Sequence, residues 1–204
     1  MTAATPPLAP TVGPTLASTL FPRTRVVAIA LVIGGALLTT VCAQLKFYLP
    51  GNPVPVSMQT FAVLLAGATL GSRLGALSQG LYFLMGLVGL PVFVEGTNGR
   101  GGWEAATGST FGYLVGFIVA AGVVGWLAER RQDRNVVTSI QAMLAGTVII
   151  LTLGTVWLAS FLDISMQRAI ELGVAPFLIG DLLKLVVAGL ALPASWALVN
   201  KLRD

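Results

Sequence analysis

Long apolar runs separated by short polar connections dominate the chain. The first uncharged run covers Val26 to Leu45, 20 residues, the length a helix needs to cross a bilayer. Further runs lie at about 54–70, 74–90, 111–128, 140–162 and 176–199. The pattern predicts an all-α integral membrane protein with six transmembrane helices. The second and third runs are short, glycine-rich and joined only by Gly71, Ser72 and Arg73, which predicts a tight helical hairpin sheltered by its neighbours. Ahead of the first run, residues 1–22 carry five of the eleven prolines among Thr, Ala and Ser. They read as a flexible tail. Arg23 and Arg25 then lead into a first helix that reads as a retained span, not a cleaved leader.

The basic residues orient these helices, because cytoplasmic loops collect Lys and Arg. With both termini cytoplasmic, the inner side holds Arg23, Arg25, Arg73, Arg130, Arg131, Arg134, Lys201 and Arg203, and the outer side Lys46, Arg100 and Arg168. Eight against three agrees with the parity of six spans, and the remaining basic residue, Lys184, lies inside the last one. The formal net charge of +4 is therefore a topology signal and implies no nucleic-acid partner. Composition narrows the chemistry further. Of the residues, 55% are hydrophobic and only 10% charged, with no histidine and a single cysteine, Cys42, in an apolar run. That excludes a Ser/His/Asp triad, an HExxH zinc site, a histidine relay and any CxxC site. No GxxxxGK[ST] loop occurs, so ATP-driven work requires a partner.

Against that background the stretch IGDLLKLVVAGL places Asp181 and Lys184 inside a span. If the helix enters at Pro176, they sit ~7 Å and ~12 Å below its outer end, at 1.5 Å per residue. At i and i+3 they share one face, and intramembrane ionisable groups point into a bundle or cavity. Such a pair either locks the helix to its neighbours or holds a small polar solute offering both donors and acceptors. The longest connection, VEGTNGRGGWEAATGST, runs from Val94 to Thr110 on the same outer side. It carries Asn98, Arg100, Trp103 and Glu104 as polar or aromatic handles among glycines that permit close backbone approach.

The residues Asn52 to Phe93, NPVPVSMQTFAVLLAGATLGSRLGALSQGLYFLMGLVGLPVF, resemble the front half of BioY proteins, the biotin-specific substrate-binding (S) components of energy-coupling factor (ECF) transporters. GYLVGF from Gly112 and DLLK from Asp181 continue the resemblance, which covers roughly Val26 to Val199. It implies an ECF S-component-like bundle in the cytoplasmic membrane of a prokaryote, with biotin captured from outside. The DxxK pair falls on Asp181 and Lys184, and the loop asparagine on Asn98. The resemblance implies that Asp181 accepts ureido N–H donors, while Lys184 and Asn98 contact the ureido carbonyl or the valerate carboxylate. Trp103, Tyr82, Phe93 and Tyr113 are candidates for the apolar walls.

Two departures stand out. The family's GPTGGY is GSTFGY here, and Leu114 stands where some relatives have an arginine; Arg100 is the candidate replacement. The resemblance also implies a membrane T component and two cytoplasmic ATPases, with biotin a transported ligand and no cofactor. Ala30 with Gly34 and Ala36 with Thr40 offer small-residue spacings on the first helix for a partner helix. Two other classes compete: a stand-alone carrier or channel using Asp181 and Lys184, and an intramembrane enzyme. The first would usually carry inverted repeats, and the second lacks an activated nucleophile or metal cluster.

Overall fold

The computed structural model describes residues 13–47, 50–94 and 102–202. In chain order it forms α1 (Leu16–Leu20), α2 (Arg25–Gln44), β1 (Lys46–Phe47), β2 (Val56–Ser57), α3 (Gln59–Leu70), α4 (Ser72–Leu87), α5 (Trp103–Ala106), α6 (Phe111–Glu129), α7 (Val136–Leu162), α8 (Met166–Gly173) and α9 (Leu178–Lys201). Among the described residues four helical stretches are long and apolar enough to cross a membrane: Arg25–Gln44, Phe111–Glu129, Val136–Leu162 and Gly180–Lys201. The hairpin helices α3 and α4 have 12 and 16 residues. At 1.5 Å per residue they reach ~18 Å and ~24 Å, short of a ~30 Å hydrocarbon core.

Helix α6 is the central element, packed on α3, α4 and α7, with α2 outside the hairpin and α9 against α7. Glycines set how close these helices come. A methyl group on Gly67 would stand 2.6 Å from the Ala121 carbonyl oxygen, and one on Gly125 only 2.3 Å from the Gly71 carbonyl carbon. The hairpin backbone therefore touches α6 directly, as membrane helices do where small residues line the contact. The reversal between α3 and α4 is made by Gly71 at φ +89°, a conformation that side chains disfavour. Its exposed helix start is capped from α6: Glu129 Oε1 accepts from Ser72 N at 2.8 Å and Ser72 Oγ at 2.9 Å. An anion at a helix N-terminus satisfies orphan donors and the helix dipole together.

Residues 13–22 depart from the flexible tail expected of residues 1–22. Thr15 and Ser18 form a reciprocal capping box on α1, Leu16 and Ala17 are buried, and Gly13 N donates to Glu129 O at 2.8 Å. Two buried apolar residues and a satisfied cap outweigh the loop-like composition. Residues 1–12 lie outside the described residues.

The same end of the bundle is closed by a second polar cluster. Asp133, in the α6–α7 connection and buried, accepts from Trp196 Nε1 of α9 at 2.5 Å. Arg134 lies 3.3 Å from the Asp133 carboxylate, stacks 3.2 Å over the Trp196 ring and donates to the Pro14 carbonyl. Burial pushes the Asp133 carboxyl above its ordinary range, against the pull of Trp196 and Arg134.

Two predictions follow from this packing. Gly125→Ala should destabilise the fold by about 1–3 kcal/mol through overpacking, whereas Gly34→Ala, which meets nothing within 4 Å, should not; thermal unfolding in detergent distinguishes them. Below the ordinary aspartate pKa of ~3.9, Asp133 is protonated folded or unfolded. As pH rises past it, the unfolded chain ionises first, so Asp133 lowers stability until the folded carboxyl ionises too. The wild-type unfolding midpoint should therefore fall relative to Asp133→Asn between pH 4 and pH 7, and parallel curves would refute this.

Candidate binding site at the start of the last helix

The polar connection between β2 and α3 meets the first turns of α9. Asp181 N donates to the Phe177 carbonyl at 2.7 Å, so the helix is already formed where the charges emerge. At i and i+3 both side chains face α3. Lys184 Nζ donates to Asp181 Oδ1 at 2.9 Å, to the Ser57 carbonyl at 2.7 Å and to Thr60 Oγ1 at 3.1 Å. Thr60 Oγ1 donates in turn to Asp181 Oδ1 at 3.0 Å. An ammonium has three hydrogens, and all three are used. Both charged residues are buried, with 4% of Asp181 and 8% of Lys184 exposed. Burial of either alone would be expensive, and the pair with its hydrogen bonds offsets that cost.

The pairing leaves one atom out. Asp181 Oδ2 is buried without a hydrogen-bond partner, whereas the buried Thr155 hydroxyl on α7 meets the Tyr113 hydroxyl. Nearly all buried polar groups find partners. A carboxylate held by its own lysine through Oδ1 thus keeps Oδ2 as an acceptor without a donor.

Apolar and aromatic clefts adjoin the pair. One, narrow at about 40 Å³, is lined by Thr60, Ser57, Gln59, Phe93, Tyr113 and Phe177 among others. A second, about 510 Å³, lies between α7, α8 and α9 and is lined by Thr155 and Asp181 with apolar neighbours; Leu151 borders both. Tyr113 anchors the boundary by donating to the Gly173 carbonyl at 2.8 Å, with its ring 6.1 Å from Phe177. Tyr82 stands one layer behind. It accepts from Gln59 Nε2 at 2.6 Å, donates to the Val92 carbonyl at 3.1 Å and meets Phe93 edge-on at 5.4 Å.

The structure thus brings together Asp181, Lys184, Phe93 and Tyr113, and sets Tyr82 as the support of Phe93. Trp103 does not join them: it opens α5 with 70% of its surface exposed. Asn98 and Arg100 lie outside the described residues. Leu114 is buried in the first cleft wall, so its position is apolar here. The proposed small-residue stripe on α2 is divided. Ala30 and Gly34 are exposed, but Ala36 is fully buried and Thr40 is half-buried, donating to the Ala36 carbonyl. Ala36 faces the chain's own core, because a four-residue spacing fixes a face without saying which neighbour covers it.

Sequence reasoning missed Ser57, Gln59, Thr60 and Thr155. Thr60 had a signal, sitting directly after a glutamine at the polar start of an apolar run. Thr155 had none, since threonines in apolar helices ordinarily bond their own backbone, as Thr147 does to the Met143 carbonyl at 3.1 Å.

Fold and site together define a multi-pass helical membrane protein built around one buried polar pair. The family model for the BioY family matches residues 15–201, and the chain belongs to that family. It is 41% identical to the biotin transporter BioY of Thermotoga maritima over 142 residues, 70% of this chain and 80% of that protein. It is 30% identical to the biotin transporter BioY2 of Lactococcus lactis over 182 residues, 88% of this chain and 97% of that protein. The fold matches the 2.1 Å crystal structure of the S-component for biotin from an ECF-type ABC transporter with a TM-score of 0.70 at 22% identity, covering 89% of this chain and 95% of that one.

The pair is also a structural tie. Lys184→Met leaves the Asp181 charge buried and unpaired, which should cost about 3–5 kcal/mol, and adding Asp181→Asn should recover part of the loss. Equal unfolding midpoints for the single and double variants would refute the coupling.

Proposed function

We propose that the chain takes up biotin as the substrate-binding component of an ECF-type transporter and is not an enzyme. The observation that carries this reading is the Asp181–Lys184 pair in a chain of this family, with Asp181 Oδ2 free of any donor and the pair's partners Ser57 and Thr60 lining an aromatic cleft. A ureido group offers adjacent N–H donors and a carbonyl acceptor, and a charged acceptor at the end of an apolar cavity suits that group. Asp181 Oδ2 accepts the ureido N–H, and Phe93 and Tyr113 wall the ring and chain. Asn98 and Arg100, from the 94–110 connection, add polar contacts, Asn98 to the ureido carbonyl or the valerate carboxylate and Arg100 as the further cation, and Trp103 and Tyr82 add apolar wall.

In this reading the protein crosses the cytoplasmic membrane of a prokaryote six times with both termini inside, α3 and α4 counting as the second and third spans. The eight-to-three division of basic residues supports that orientation. It also puts the pair in the outer half and the Asp133–Trp196 and Glu129–Ser72 clusters at the inner face. Delivery inward requires energy the chain lacks, supplied by a T component and two ATPases. Ala30 and Gly34, exposed on α2 beside Ile29 and Ile33, are the small residues against which a partner helix could pack.

Calorimetry on the purified protein in detergent tests the ligand. Wild type should bind biotin without an ion gradient, and Asp181→Asn should bind at least ~10-fold more weakly, since a hydrogen bond to a charged group contributes about 1.5–3 kcal/mol. Absence of binding by folded wild type would refute the reading. Arg100→Ala should weaken biotin binding as well; unchanged affinity would remove Arg100 from the site.

A further inference from the structure

Buried Leu16 and Ala17 hold α1 on the bundle, and Thr24 starts α2 by accepting from Val27 N at 3.3 Å. A cavity of about 370 Å³ opens where the two helices meet, lined by Arg23, Thr24 and Arg25 together with Ala28, Leu31 and Leu74. Past Ala28 and Leu74, which border both, it continues into an apolar groove of about 570 Å³ between α2 and α4, lined further by Val32, Ile33, Leu77 and Leu81. From Arg25 to Ile33 the groove follows α2 for ~12 Å, at 1.5 Å per residue. The two arginines at its mouth have no acid. Among the described residues the ion pairs belong to Arg134, Arg168 and Lys184, and Arg130 stacks on the Trp126 ring. Arg23 and Arg25 are exposed, and their side chains bond to nothing in the described chain. Two unpaired cations at the head of a hydrocarbon-lined groove complement a molecule with an anionic head and an apolar tail.

We propose that this groove binds one anionic phospholipid, its phosphate between Arg23 and Arg25 and an acyl chain along α2 and α4. Guanidinium forks match phosphate oxygens, and the aliphatic walls beyond them suit a chain. Charge and shape together set the class. A zwitterionic lipid brings its own cation to the arginines, and a soluble phosphate leaves the apolar walls unfilled. The site goes beyond the biotin reading and does not depend on it: the buried pair stands near the other end of α2, where Leu45 and Lys184 line one cavity. Ala30 and Gly34 line neither part of the lipid groove, so the lipid and the partner helix proposed above use different faces of α2.

Native mass spectrometry of the delipidated full chain in detergent, titrated with phosphatidylglycerol or with phosphatidylcholine of the same acyl chains, tests the assignment. Wild type should retain one phosphatidylglycerol at least ~10-fold more tightly than phosphatidylcholine, and Arg23→Gln/Arg25→Gln should bring the two lipids within ~3-fold of each other. The lipid-free unfolding midpoint of that variant should match wild type, because exposed arginines without partners hold nothing in the fold. Arg73→Gln/Lys201→Gln removes the same charge from exposed positions outside the groove and should keep the preference. Equal retention of both lipids by wild type would overturn the site, and so would an undiminished preference in Arg23→Gln/Arg25→Gln. Equal losses in the two double variants would show general surface charge and overturn it as well. Displacement of phosphatidylglycerol by glycerol 3-phosphate at comparable concentration would show a free-anion site and overturn the lipid assignment.

Discussion

A buried ammonium must find three acceptors, and much of one end of this bundle follows from how Lys184 finds them. One comes from its own helix, Asp181 Oδ1, and two from the connection into α3, the Ser57 carbonyl and Thr60 Oγ1. The last helix is thereby tied to the start of the hairpin across 120 residues of chain or more. The tie also fixes the carboxylate. Oδ1 takes both Lys184 and Thr60, and Oδ2 is left without a donor. In a low-dielectric surround an unpaired acceptor of that kind is costly, so the bundle carries a built-in preference for a donor arriving from outside the chain.

The opposite end is organised on another principle. There the helices close by direct backbone contact, with Gly67 against Ala121 and Gly125 against Gly71, and the polar groups are satisfied within the chain. Glu129 caps α4 and receives Gly13, while Asp133, Arg134 and Trp196 bind the α6–α7 connection to α9. The unsatisfied carboxylate oxygen, Asp181 Oδ2, lies near the start of α9, away from this end. One end of the bundle is thus closed on itself and the other is left incomplete around its pair.

Most of this architecture was legible in the sequence where a single physical rule decided the outcome. Run length alone located α2, α6 and α7, and the cost of intramembrane charge singled out Asp181 and Lys184. Legibility failed where several weak rules competed. The two-residue strands β1 and β2 are too short to leave a pattern. Pro and Thr in residues 13–22 outweighed, on paper, a capping box that the packed Leu16 and Ala17 make effective. Small residues on α2 announced a close contact without saying whether the neighbour belonged to the same chain. Ala36 met the core and Gly34 met nothing.

The division of labour at the pair bears on capture. Without ligand the polar network at this end joins α3 and α9, and Asp181 Oδ2 has no donor in it. A solute that donates to Oδ2 would add a bond that exists only when the site is filled. The free energy of that bond belongs wholly to the difference between empty and loaded protein, and only such a difference can favour one conformation over another. A fully satisfied apo site would bind its solute with less reorganisation and would offer no such distinction.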